Sequence, residues 1–135
     1  MTRTRILAHT LAALLSGATL SSVTCAAGPA DLETAYAAQA GRPADPQRGQ
    51  LLFTSRHGRA WNCASCHGAV PTGSGTHAAT GKPIAPLAPA ANAERFTDAA
   101  KTEKWFRRNC NDVIGRECTP AEKADVLNWL RTLTP

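Results

Sequence analysis

Methionine is all but missing from this 135-residue chain: Met1 is its only one. No thioether inside a folded domain is therefore available to ligate a metal. Aromatic residues are scarce as well, at 5% of the sequence. They do not alternate with basic runs, which argues against a binder of single-stranded nucleic acid. The chain has no second C-x-x-C beside the one at Cys63 and Cys66, and Cys110 and Cys118 stand eight positions apart, a poor fit to a zinc site. Nor does a strand pattern surround the first pair, as a thioredoxin-like redox motif would need. Long unbroken apolar runs are lacking too. The best one, Ile6 to Leu20, is interrupted by His9, Thr10, Ser16, Gly17 and Thr19 and reads poorly as a membrane span.

What the chain does have is Cys63-Ala64-Ser65-Cys66-His67, a C-x-x-C-H box. This is the attachment signature of a c-type haem. Two thiols three positions apart add to the two vinyl groups of one haem, and the adjacent His67 reaches the iron as proximal ligand. One covalent haem c is the expected cofactor.

The N-terminus fits that chemistry. A basic head with Arg3 and Arg5, the interrupted apolar run and the small residues Thr24-Cys25-Ala26-Ala27 read as a secretory signal peptide over residues 1–26. The expected location is the periplasm. Losing Arg3 and Arg5 lowers the formal net charge from +5 to about +3, and haem propionates lower it further. The basic balance is thus no argument for nucleic acid. An oxidising compartment favours a disulfide between the remaining cysteines, Cys110 and Cys118.

Residues 27–45, rich in Ala, Gly and Pro, are expected to be a flexible segment with at most a short helix over Asp31 to Gln39. Residues 46–135 are expected to form the haem domain. Pro46 opens a helix to about His57. The glycines and prolines of residues 68–93 argue for an irregular loop that wraps the haem, with Ile84, Pro86 and Leu87 packing on it. A backbone carbonyl of that loop is expected to accept from the His67 ring. Asp98 starts a helix to about Asn109. Thr119-Pro120-Ala121-Glu122 is a strong helix start, with a capping Thr, Pro in the first helical position and the Glu of a capping box. Val126, Leu127, Leu130 and Leu133 supply that helix with a buried stripe. The sum is an all-α, class I cytochrome c-like fold, with first and last helices crossing at Gly49 near Phe53 and Trp129. Trp61 and Trp105 are candidates to pack on the haem and give a ring N–H to a propionate. Lys101, Lys104, Arg107 and Arg108 form a modest basic patch that would suit an acidic redox partner, or simply a solvated helix face.

The sixth iron ligand is the open question. Electron-carrying class I cytochromes use methionine there, and this chain has none to offer. His57, His77, Lys101, Lys104, Cys110 and Asn109 are the candidates by position, and position alone does not choose among them.

Several segments resemble the sphaeroides haem protein (SHP) family, oxygen-binding monohaem cytochromes c. They are Gly81 to Pro89, Arg95 to Lys101, Glu103 to Cys110, and Gly115 to Pro120. The similarity runs from about Gly49 to the C-terminus. It implies that Asn109 is the distal ligand and that Cys110 and Cys118 form a disulfide. It also implies a dihaem cytochrome c and a membrane cytochrome b as electron donors. An amide oxygen is a hard, neutral donor, better suited to ferric than to ferrous iron. The expectation is an electron-transfer cytochrome whose Asn109 is released on reduction, so that O2 or another small diatomic ligand can bind. The alternative is a haem enzyme that reduces or detoxifies O2, NO or peroxide. No distal acid–base group of the peroxidase type is evident, which favours an electron-transfer or ligand-binding protein over a dedicated enzyme.

Overall fold

Residues 28–135 are described in the computed structural model of the chain. The expected signal peptide lies outside them. Five helices and one short strand pair make up the described residues: α1 (Pro29–Ala40), α2 (Pro46–Thr54), α3 (Ala64–His67), β1 (Gly75–Thr76), β2 (Pro83–Ile84), α4 (Ala99–Val113) and α5 (Pro120–Thr132).

Local chemistry explains where the helices begin. Asp45 caps α2 by accepting from the Arg48 N–H at 2.9 Å, with Pro46 in the first turn. Asp98 caps α4 in the same way through the Lys101 N–H at 2.9 Å. At α5 the expected capping box is present in full, with Thr119 Oγ1 accepting from the Glu122 N–H and Glu122 accepting from the Thr119 N–H.

Two helix ends differ from expectation. α2 stops at Thr54, three residues short, because the His57 ring turns back to bond the Leu52 carbonyl at 2.8 Å and the Asn62 side chain takes that of Thr54. α4 runs past Asn109 to Val113, and Gly115, at φ 85°, sits beyond its end in the left-handed region. Asn109 and Cys110 are therefore interior helical residues.

α5 is the centre of the molecule. On one side Ala124 and Leu127 meet Leu32 and Tyr36 of α1. On the other, Val126, Trp129 and Leu130 meet Phe53 of α2. The expected crossing of α2 and α5 is present and very tight: a Cβ on Gly49 would fall 2.0 Å from the Asp125 carbonyl oxygen. Phe53 and Trp129 pack nearby with tilted rings, their centroids 5.0 Å apart.

The expectation of a flexible segment over residues 27–45 is corrected. α1 is a full helix with Leu32 and Tyr36 in the core. Two buried charges on α5 tie it down. Asp125, 3% exposed, accepts from Arg42, from Arg48 and from the Asp45 N–H. Lys123, 7% exposed, pairs with Glu103 of α4, which also accepts from the Tyr36 hydroxyl at 2.8 Å. Buried ions persist only when partnered, so these pairs set the register of α1, α2 and α4 on α5.

Residues 68–93 are irregular apart from the antiparallel pairing of Gly75 with Ile84 and Thr76 with Pro83. This small sheet lies directly on the C-x-x-C-H helix. A Cβ on Gly75 would come 2.1 Å from the Cys66 carbonyl oxygen and 3.0 Å from His67 Cα. Only glycine allows that approach.

Candidate haem centre

A cavity of about 410 Å3 opens between α2, α3, the 68–98 segment, α4 and α5. Its size falls within the range of small-molecule and cofactor sites, about 300–1,000 Å3. Its apolar walls are Leu52 and Phe53 of α2, Ile84 and Leu87 of the loop, and Phe96 and Val126.

Cys63 and His67 line the cavity from α3. The His67 and Phe53 rings lie 6.0 Å apart, centroid to centroid. Burial holds His67 below its ordinary pKa, and the Arg95 guanidinium adds to the effect. A neutral imidazole keeps a lone pair free for a metal. Burial also pushes the Cys63 thiol up to about 11. Cys66 faces the small sheet, its sulfur accepting from the Ala78 N–H at 3.3 Å. No hydrogen bond from the His67 ring to a loop carbonyl is formed among the described residues. The loop supplies this helix with the Gly75 contact and the Ala78 N–H.

α4 lines the cavity as well. Lys101, Thr102, Trp105, Phe106, Arg108, Asn109 and Asp112 line it, at the spacings of one helical face. Asn109 thus shares a cavity with His67. Cys110 and Cys118 line the same wall, with their sulfurs 1.94 Å and their Cα atoms 5.6 Å apart.

Of the other expected haem-packing residues, Ile84, Leu87 and Trp105 line the cavity, and Trp61 and Pro86 do not. Pro86 instead presents its carbonyl to Arg95 Nε at 2.9 Å. Trp61 stands 42% exposed on the surface. His57 is spent on the α2 carbonyl, as described above. His77 lines the cavity, and its Nδ1 accepts from the Ala79 and Thr80 N–H groups at 3.3 Å each.

Sequence reasoning missed several contributors, among them Arg95, Phe96 and Phe106. Arg95 lines the cavity while its guanidinium is held by the Ala85 and Pro86 carbonyls. Phe96 reaches the wall from a left-handed backbone, φ 61°. Phe106 packs against both core clusters. The helical spacing of Phe106 with Thr102 and Asn109 was a readable signal. For Arg95 and Phe96 there was none, because a long-range cavity selects them.

The Cys63 thiol in the wall, the Cys66 thiol one turn along the same helix, a neutral imidazole, an amide oxygen and apolar walls with cations among them suit a haem, whose ring is flat and greasy and whose propionates are anionic. Fold and site together define a monohaem c-type cytochrome. Comparison with known proteins agrees. Residues 39–130 match DUF1924, described as a domain of unknown function. The chain is 52% identical over 124 residues to cytochrome c-type protein SHP of Cereibacter sphaeroides, covering 89% of this chain and 93% of that one. It is 45% identical over 82 residues to cytochrome c'' of Methylophilus methylotrophus, covering 61% and 57%. The structure of oxidised SHP, described as an oxygen-binding cytochrome c, superposes with a TM-score of 0.74 at 54% identity, covering 78% of this chain and 96% of that one. A solution structure of cytochrome c'', concerned with haem-ligand detachment, gives 0.71 at 34% identity, covering 79% and 94%. The chain belongs to the SHP family of cytochromes c, and its cofactor is haem c.

Proposed function

We propose that the chain is an exported, periplasmic electron carrier in which Asn109 is the distal ligand of the oxidised iron and leaves it on reduction. Small diatomic molecules, O2 among them, then have access to that side. The observation that carries this reading is that Asn109 and His67, on different helices, line one cavity in a chain whose only methionine is Met1. Bound haem c supplies a one-electron iron couple and a metal position open to diatomic gases.

The chain's own residues do the rest. His67 stays neutral through burial. Asn109 carries no charge, and its side chain makes no hydrogen bond among the described residues, so turning away costs it no partner. The helix runs on through Asn109 and holds its Cα in place, so a side-chain rotation suffices. A Cys110–Cys118 disulfide is part of the proposal, because it anchors the residue next to Asn109. Alkylation of two thiols in the unreduced mature protein would count against it. The relatives support the reading to the extent that one is described as oxygen-binding and another in terms of haem-ligand detachment. A dihaem cytochrome c and a membrane cytochrome b are the proposed donors.

The deciding experiment is the absorption spectrum of the reduced holoprotein with and without carbon monoxide. A large Soret shift on adding the gas is expected. A reduced spectrum that ignores carbon monoxide overturns the proposal. The alternative, a haem enzyme reducing O2, NO or peroxide, draws on Arg108 and Asp112, charged residues in the cavity wall on the same helix as Asn109. Sustained peroxide turnover by the holoprotein would favour it.

A further inference from the structure

Carboxylates are absent from a long part of the chain. Between Asp45 and Glu94 there is none, while Arg48, Arg56, Arg59 and Lys82 fall in that interval, and so does the haem box. Arg48 is consumed by Asp45 and Asp125. Arg56 and Arg59 are exposed and join no ion pair among the described residues. Both sit in the loop between α2 and α3.

This loop adjoins two segments that line the cavity. Its last residue, Asn62, directly precedes Cys63. Its Arg59 leans on the turn after α4, where a Cβ on Gly115 would meet the guanidinium at 2.8 Å. That turn joins Cys110 to Cys118, which line the wall that carries Asn109. The loop also presents Trp61, 42% exposed and outside the cavity wall. The basic stretch of α4 is placed differently: Lys101 and Arg108 line the cavity, and Arg108 lies over the Trp105 ring, 5.5 Å from its centroid. Lys104 and Arg107 of that stretch lie outside the cavity wall.

We propose that Trp61, Arg56 and Arg59 form the docking surface for an acidic redox protein, one that surrounds its own redox centre with carboxylates. The proposal rests on the electron-transfer part of the function above. Charge complementarity selects this occupant. Two unpaired arginines in a carboxylate-free stretch attract an acidic surface and repel a basic one. Tryptophan and arginine are also the residues that most often dominate interface energetics. The arginines steer the encounter, and Trp61 supplies the contact once it is made.

The test is stopped-flow reduction of the oxidised holoprotein by reduced flavodoxin, an acidic flavoprotein, at ionic strengths from about 10 to about 300 mM. The wild-type rate is expected to fall as salt rises. An Arg56→Glu/Arg59→Glu variant is expected to react about tenfold more slowly at low salt and to lose most of the salt dependence. Trp61→Ala is expected to be slower at every ionic strength with the salt dependence kept. Lumiflavin semiquinone, a small neutral reductant, is expected to reduce all of them equally, which separates docking from damage to the haem site. Loop variants that keep the wild-type flavodoxin rate overturn the docking surface alone. So does a Lys104→Glu/Arg107→Glu variant that removes the whole salt dependence. A wild-type holoprotein that lumiflavin cannot reduce overturns the electron-transfer reading and the docking surface with it.

Discussion

Asn109 shows how much the meaning of one residue depends on its surroundings. Near the end of a predicted helix, an asparagine reads first as a cap. In the structure α4 runs on to Val113, and Asn109 sits on the face that also places Trp105 and Asp112 in the cavity wall. An internal ligand competes with external ones in proportion to how fully it occupies its site. The oxidised Asn109→Ala holoprotein is therefore expected to bind imidazole about tenfold or more tightly than the wild type, titrated by the Soret shift. Equal affinities would place the distal ligand elsewhere. Phe96 is another residue that only the fold explains. A bulky side chain at positive φ costs about 1–3 kcal/mol. Here both core clusters hold it in place, and it closes part of the cavity wall.

Among the elements, α2 and α5 cross more closely than any side chain permits. Gly49→Ala puts a methyl group 2.0 Å from a backbone oxygen, and the two helices must separate. The expected loss is about 2–3 kcal/mol, read as a lower urea midpoint of the holoprotein. The start of α5 has its own pH dependence. The Arg116 guanidinium pairs with Glu122 through both oxygens and, with the Thr119 cap, lowers the Glu122 carboxyl to about 2. Since the folded state favours the ionised form, this stabilisation is fully present above the ordinary carboxylate pKa, about 4.3. It is lost as pH falls towards about 2. Arg116 is half exposed, so solvent screens the pair and the effect is modest. The stability gap between wild type and Glu122→Gln should be full at neutral pH and close progressively below about pH 4.3. A gap independent of pH would mean that Glu122 acts through packing and not through its charge. The cap of α5 was plain in the sequence because a capping box is local. The end of α2 was not, because the His57 ring and the Asn62 side chain set it from outside the helix.

At the scale of the whole molecule, α1 is the main departure from expectation. Its alanine-rich composition, with only Leu32 and Tyr36 as large apolar residues, suggests a loose segment. Those two residues are enough once α5 offers Ala124 and Leu127 to receive them. Leu32→Ala is expected to cost about 2–4 kcal/mol in thermal or urea unfolding, whereas a tail without fixed packing would cost nothing. The sequence by itself determined the cofactor and its covalent attachment, and it made His67 the candidate proximal ligand in a chain whose only methionine is Met1. Each of these follows from residue type and short spacing. The capped start of the last helix and the glycine at its crossing were also within reach, for the same reason. Tertiary structure alone decided that Asn109 and His67 share a cavity, that Arg95 and Phe96 help to line it, and that Trp61 stands outside it. Those facts depend on how distant helices pack around α5, and no local pattern encodes the distance between them.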